Sequence, residues 1–122
     1  MRLENFRPGL IAQLGLDFET LSKLYPRLIY ASHKGFLPGP YEKRLALDEV
    51  VQMMGGLSCM TGPVGHPQRA GTSVNDIMGG MFGSIGVLTA LRERDATGRS
   101  QEVQSARFEN CVFLASTCSS FR

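Results

Sequence analysis

Asp76 stands in "AGTSVNDIMGGMFGSIG", residues 70–86, directly ahead of an apolar stretch that holds Gly79, Gly80, Gly83 and Gly86. Each glycine disfavours a helix by roughly 1 kcal/mol relative to alanine, so four of them within helical apolar spacing need a reason. Gly79, Gly83, Gly86 and Ala90 fall on one face of a helix, beside an apolar face of Ile77, Met81, Ile85 and Leu88. A face of small residues admits a close neighbour, either a tightly packed helix or a ligand. Asp76 has two matching readings. As an N-cap it accepts a backbone N–H two or three residues on, worth about 1 kcal/mol. As a reactive group it is a charged carboxylate at a helix N-terminus, beside backbone N–H groups that can take up developing negative charge, with Gly79 and Gly80 giving a substrate access to them. An aspartate so placed can attack an activated carbonyl.

The other reactive residue types form no second constellation. Cys59, Cys111 and Cys118 are odd in number and lack metal-ligand spacing; Cys111 and Cys118 lie seven apart on one face of an expected helix. They read as buried thiols of a reducing compartment. His33 and His66 are far apart and make no HxxxH or HExxH pattern, so no metal site is expected. Thirteen basic and eleven acidic residues are spread along the 122-residue chain, giving a net charge of +2 and no basic face for nucleic acid. The opening "MRLENFRPG" has no apolar core of a signal peptide, and the most apolar run, Ile77 to Leu91, is interrupted and short for a bilayer. A soluble cytoplasmic protein with no membrane partner is the expectation.

These residues need elements to position them. The spacing predicts a short helix from about Leu10 after the "RPG" turn, and a second capped by Asp17 and ended by Pro26. "RLIYAS" suits a short buried strand, and "HKGFLPGPYEKR" a loop. Helical spacing returns from Leu45 to Leu57, with Leu47, Val50, Val51 and Met54 on one face and fraying expected at Gly55–Gly56. "TGPVGHPQRAG" is a second long loop ahead of the glycine-bearing helix, which Gly98 closes. "SQEVQS" suits a second strand, with Ser105 capping a last helix. Two short strands cannot make a sheet alone. The pattern is α/β and helix-rich, with about two short strands, and reads as part of a larger sheet.

Several stretches occur together in one order: "ENFRPG" at 4–9, "PRLIYAS" at 26–32, "GPYEKR" at 39–44, "VVQMMGGL" at 50–57, "SVND" at 73–76 and "ALRERDATGRSQEVQSARFEN" at 90–110. From Glu4 to about Cys118 the chain resembles the family III CoA-transferases, the group of formyl-CoA transferase and carnitine CoA-transferase. The resemblance implies an acyl-CoA enzyme whose catalytic aspartate matches Asp76. That aspartate attacks a thioester as a mixed anhydride forms and CoA thiolate leaves, the thiolate returns to make an aspartyl-CoA thioester, and an acceptor carboxylate takes the CoA through a second anhydride. Coenzyme A is then part of the substrate, with no permanently bound cofactor.

By the same resemblance Asn5, Phe6, Arg7 and Gln13 match one CoA-lining stretch, and Leu45, Ala46, Leu47 and Asp48 a second. A tyrosine of formyl-CoA transferase is replaced by Leu47, so ring stacking is not expected there. Racemases of the family carry a histidine at that place, and its absence favours CoA transfer over racemisation. Intramolecular transfer of the mesaconyl-CoA C1–C4 type, and a non-catalytic remnant, remain the alternatives. Family subunits are considerably longer and interlock as homodimers. The expectation for residues 1–122 is therefore an internal piece of the large domain, lacking upstream strands and the downstream small domain, and inactive alone.

Overall fold

A computed structural model of the chain describes the backbone of residues 1–119 and the side chains through 116. The chain divides into two compact units.

The first unit, residues 1–34 and 80–105, is built on a three-stranded sheet in the order β1 (Arg2–Glu4), β2 (Ile29–Lys34), β3 (Gln101–Ala106). β1 runs parallel to β2, pairing Arg2 with Tyr30 and Glu4 with Ser32. β3 is parallel as well: Gln101 N–H donates to Leu28 O at one end and the Ser105 hydroxyl meets His33 Nδ1 at the other. The central strand is the driest part, with Ile29, Tyr30 and Ala31 all buried, as parallel strands covered on both faces require. Helices α1 (Leu10–Gln13) and α2 (Phe18–Leu24) connect β1 to β2. Asp17 caps α2 as its sequence promised, accepting from Thr20 N at 3.3 Å and Thr20 Oγ1 at 2.7 Å.

The long helix α5 (Val74–Thr97) gives this unit everything from Gly80 onward. Its small residues lie on the sheet. A Cβ at Gly86 would come within 2.6 Å of Val103 Cγ1, and one at Gly83 within 3.8 Å of Ser105 Cβ. Ala90 on the same face is buried, whereas Ile77, Met81, Ile85 and Leu88 are all more than half exposed. The glycine face therefore serves close helix-to-strand approach, not the helix-to-helix packing expected from spacing. Gly98 ends the helix with φ +70 and donates its N–H to Arg94 O at 2.7 Å.

The second unit, residues 35–79 and 106–122, holds α3 (Asp48–Met54), α4 (Leu57–Thr61), the start of α5 and α6 (Arg107–Ser119). Its core gathers Phe36, Ala46 and Val51 with Phe108 packed against them, the Phe36 and Phe108 rings 5.5 Å apart. Gly55 lets α3 end against α6: a Cβ there would meet Cys111 Sγ at 2.5 Å. Burial pushes the Cys111 thiol above its ordinary value, and Cys59 is exposed, so only one of these two thiols is core. Cys118 lies outside the described side chains.

Several expectations change. β1 makes a third strand; at three residues it is too short to show alternation. The helix expected over Leu45–Leu57 is two shorter ones, because Gly56 takes φ +83, a left-handed conformation that breaks the ladder. Of its expected buried face only Val51 is buried; Leu47, Val50 and Met54 are exposed. Ser105 belongs to β3, where it meets His33, and does not cap α6. At 24 residues α5 is longer than the Ile77–Leu91 run, and by length and composition alone it is long and apolar enough to cross a membrane.

Candidate active site

The first turn of α5 is where the structure departs furthest from local sequence logic. A helix start leaves its first N–H groups without intrahelical partners. Val74 N–H turns back to Thr72 O at 3.0 Å, and Ile77 N–H begins the ladder on Ser73 O at 3.1 Å. Between them, Asn75 N–H and Asp76 N–H both donate to Asp48 Oδ1, at 2.7 and 3.1 Å. The cap therefore comes from the first residue of α3, 28 positions earlier than Asp76.

Asp48 is itself fixed. It is 5% exposed, and its Oδ2 accepts from Gln52 Nε2 one turn along α3. Gln52 is fully buried; its Oε1 accepts from Ala70 N–H at 2.7 Å and its Nε2 also reaches Thr72 O at 3.4 Å. Thus α3, through two polar side chains, holds both the loop before α5 and the first turn of α5.

Asp76 is the third residue of α5, with its side chain 40% exposed. Its Oδ1 accepts from Nε of Arg107, the first residue of α6. Arg107 is far better buried, at 17%, and its Nη1 donates to Ala46 O at 3.5 Å. The guanidinium is anchored from α6, and the carboxylate it holds still reaches solvent. Glu109, two residues on, ties α6 to the Phe36 loop by accepting Leu37 N–H at 3.1 Å. One exposed face of a held carboxylate, at the positive end of a helix, is suited to nucleophilic attack on a carbonyl.

The second expected CoA-lining stretch alternates. Leu45 and Leu47 point outward, 61% and 65% exposed, while Ala46 joins the core and Asp48 caps α5. Asp48, expected to line CoA, is 5% exposed in this structure and accepts hydrogen bonds at both its oxygens. Gly79 and Gly80 sit six and seven residues into α5, where helix geometry commits their N–H groups to the carbonyls of Asn75 and Asp76. Gly80, whose Cβ would meet nothing within 4 Å, offers open space one turn from Asp76. In the other unit Asn5, Phe6 and Arg7 form an exposed turn after β1, shaped by Glu4 Oε2 accepting Phe6 N–H at 2.8 Å, and Gln13 ends α1, also exposed.

Sequence reasoning missed Arg107 altogether and missed the capping role of Asp48. The only local signal for Asp48 was its i, i+4 relation to Gln52 at the start of a helix. Arg107 showed one too: a cation at a helix N-terminus opposes the helix dipole and calls for a carboxylate nearby.

The sequence profile of CoA-transferase family III matches residues 2–119. The chain belongs to the family III CoA-transferases. It is 44% identical over 112 residues to the acetyl-CoA:oxalate CoA-transferase of Acetobacter aceti, covering 89% of this chain and 29% of that protein. It is 42% identical over 116 residues to the succinyl-CoA–L-malate CoA-transferase beta subunit of Chloroflexus aurantiacus, covering 93% and 28%. A CAIB/BAIF family protein from Brucella suis superposes with a TM-score of 0.88 at 37% identity, over 98% of this chain and 32% of that one. This segment of the CoA-transferase fold is α/β, and the chain spans less than a third of the length of these relatives.

Proposed function

We propose that this chain is the nucleophile-bearing segment of a CoA-transferase large domain, and that Asp76 is the nucleophile. The observation that carries the reading is the geometry of Asp76: held by Arg107 on one oxygen, its own N–H fixed by Asp48, and its carboxylate still open to solvent. An Asp76 oxygen attacks the thioester carbonyl of an acyl-CoA; the C–S bond breaks, CoA leaves as thiolate and a mixed anhydride remains. The thiolate attacks Asp76 Cγ and expels the donor acid as its carboxylate, leaving CoA on Asp76 as a thioester. An acceptor carboxylate then attacks Cγ and expels the thiolate, which takes the acyl group of the new anhydride and frees Asp76. Every leaving group is an anion already, so no step needs a proton.

Oxalate and malate occur in the names of the relatives, so a small dicarboxylate is our proposed acceptor. Leu45 and Leu47, with Asn5, Phe6, Arg7 and Gln13, are the proposed CoA contacts; Arg7 suits a phosphate. Leu47 cannot carry a proton, so we read transfer and not racemisation: a 2-methylacyl-CoA should show no α-proton exchange in deuterated water at a rate near that of transfer. Cytoplasmic residence and an interlocked homodimer complete the proposal. Incubating the full-length protein with acyl-CoA and then hydroxylamine should leave a hydroxamate on Asp76, read by mass spectrometry, and Asp76→Asn should lose transfer. Turnover retained in that variant overturns the assignment.

A further inference from the structure

We propose that Arg107 is the acceptor-binding residue: it holds the Asp76 carboxylate in the resting enzyme and takes the acceptor's carboxylate once Asp76 carries CoA. The proposal rests on the assignment of Asp76 as nucleophile. Arg107 lies mostly buried at the N-terminus of α6, where the helix dipole opposes a cation, and its Nε donates to Asp76 Oδ1. Two further carboxylates stand at these helix starts: Asp48, spent on Asn75 N–H, Asp76 N–H and Gln52, and Glu109 in the first turn of α6, which accepts Leu37 N–H. Of these carboxylates Asp76 is the one that ion-pairs with Arg107.

Forming the thioester removes that ion pair. The Asp76 oxygen that remains is a neutral carbonyl, while Arg107 cannot shed its proton. A poorly solvated guanidinium that has lost its ion-pair partner attracts another anion strongly. The contacts to Asp76 and Ala46 O engage two of its five N–H groups, so a planar carboxylate can be gripped by the rest of the fork. The acceptor is then held beside Cγ, the atom it must attack, and Nε–H stays on the Asp76 carbonyl oxygen as negative charge grows there. Attack forms the O–Cγ bond, the Cγ–S bond breaks, and the thiolate leaves with the electron pair. When the thiolate has taken the acyl group, Asp76 is again a carboxylate and reclaims Arg107. Arrival of the acceptor is thus gated by the charge state of the nucleophile, and a carboxylate is disfavoured before CoA is loaded.

The test uses the full-length protein, its Arg107→Gln and Arg107→Lys variants, and two acceptors. One is whichever of oxalate, malate and succinate the wild type turns over fastest; the other is hydroxylamine, which is neutral and needs no cation. Arg107→Gln should lose on the order of 100-fold in kcat/KM for the carboxylate, through KM more than kcat, and no more than about 10-fold in the rate constant with which hydroxylamine forms the Asp76 hydroxamate. Arg107→Lys, which keeps the charge and loses the fork, should fall between. Carboxylate rates are expressed per site that hydroxylamine labels, so the comparison is unaffected by how much of a variant folds. Equal losses for both acceptors, or an unchanged carboxylate KM, overturn the role of Arg107. Absence of any Asp76 adduct in the wild type overturns the underlying nucleophile assignment instead.

Discussion

Asp48 accepts three hydrogen bonds in a place almost closed to water, and two of them are the start of the helix that carries the nucleophile. Replacing it by alanine strands two helix N–H groups and leaves Gln52 Nε2 with only its longer contact to Thr72 O. The expected cost is about 2–4 kcal/mol, seen as a lower denaturant midpoint of the full-length protein, with transfer falling more steeply because Asp76 is displaced. Tyr30 gives a pH dependence of definite sign. Burial first, then the negative charge of Glu4, pushes its phenol from 10.0 to about 12. The native state holds that proton where the unfolded chain releases it, so the contribution is intact below pH 10.0 and is lost as pH rises toward about 12. The loss is on the order of 2 kcal/mol, and Tyr30→Phe should not show it in denaturation measured across that window. At this scale the sequence displayed what is local. Asp17 and Thr20 are three residues apart, and their cap was legible. Asp48 and Asp76, or Asp76 and Arg107, meet only through tertiary packing, so the local signals at Asp48 and Arg107 did not name their partners.

For an element, the glycines of α5 separate two demands that sequence spacing merged. Gly86 is required by packing: its Cβ would press on Val103. Gly80 faces open space at a standard helical position. Gly80→Ala should therefore stabilise the protein by up to about 1 kcal/mol through helix propensity, whereas Gly86→Ala should destabilise it by about 1–2 kcal/mol, the clash outweighing that gain. Thermal melting of the two variants checks the opposite signs. If the space at Gly80 admits the thioester, Gly80→Ala will also raise KM for acyl-CoA while raising the melting temperature. The existence of α5 was legible from periodicity, as were α2, β2 and β3. The neighbour of its small face was not, since spacing tells which residues share a face and not whether a helix or a strand lies against it.

Taken as a whole molecule, the chain leaves an apolar row, Ile77, Met81, Ile85 and Leu88, more than half exposed, and Leu45, Leu47 and Met53 likewise. Exposed apolar surface of that kind ordinarily meets further protein. The 122 residues expressed alone should self-associate and show no transfer; sedimentation and a CoA-transfer assay beside a longer protein check this, and a monomeric fragment with turnover contradicts it. The cap on α5 has a temporal consequence as well. In a lone helix the first-turn amides of Asn75 and Asp76 would exchange with solvent almost at once. Here they are locked to a side chain contributed by α3, so they can become protected only after α3 and α5 have met. Hydrogen–deuterium exchange of those two amides should consequently rise with the slow, cooperative opening of residues 48–52, and during refolding their protection should appear with that docking and not with the formation of α5. The reactive carboxylate is then assembled late, and any lesion that delays α3 delays the nucleophile with it.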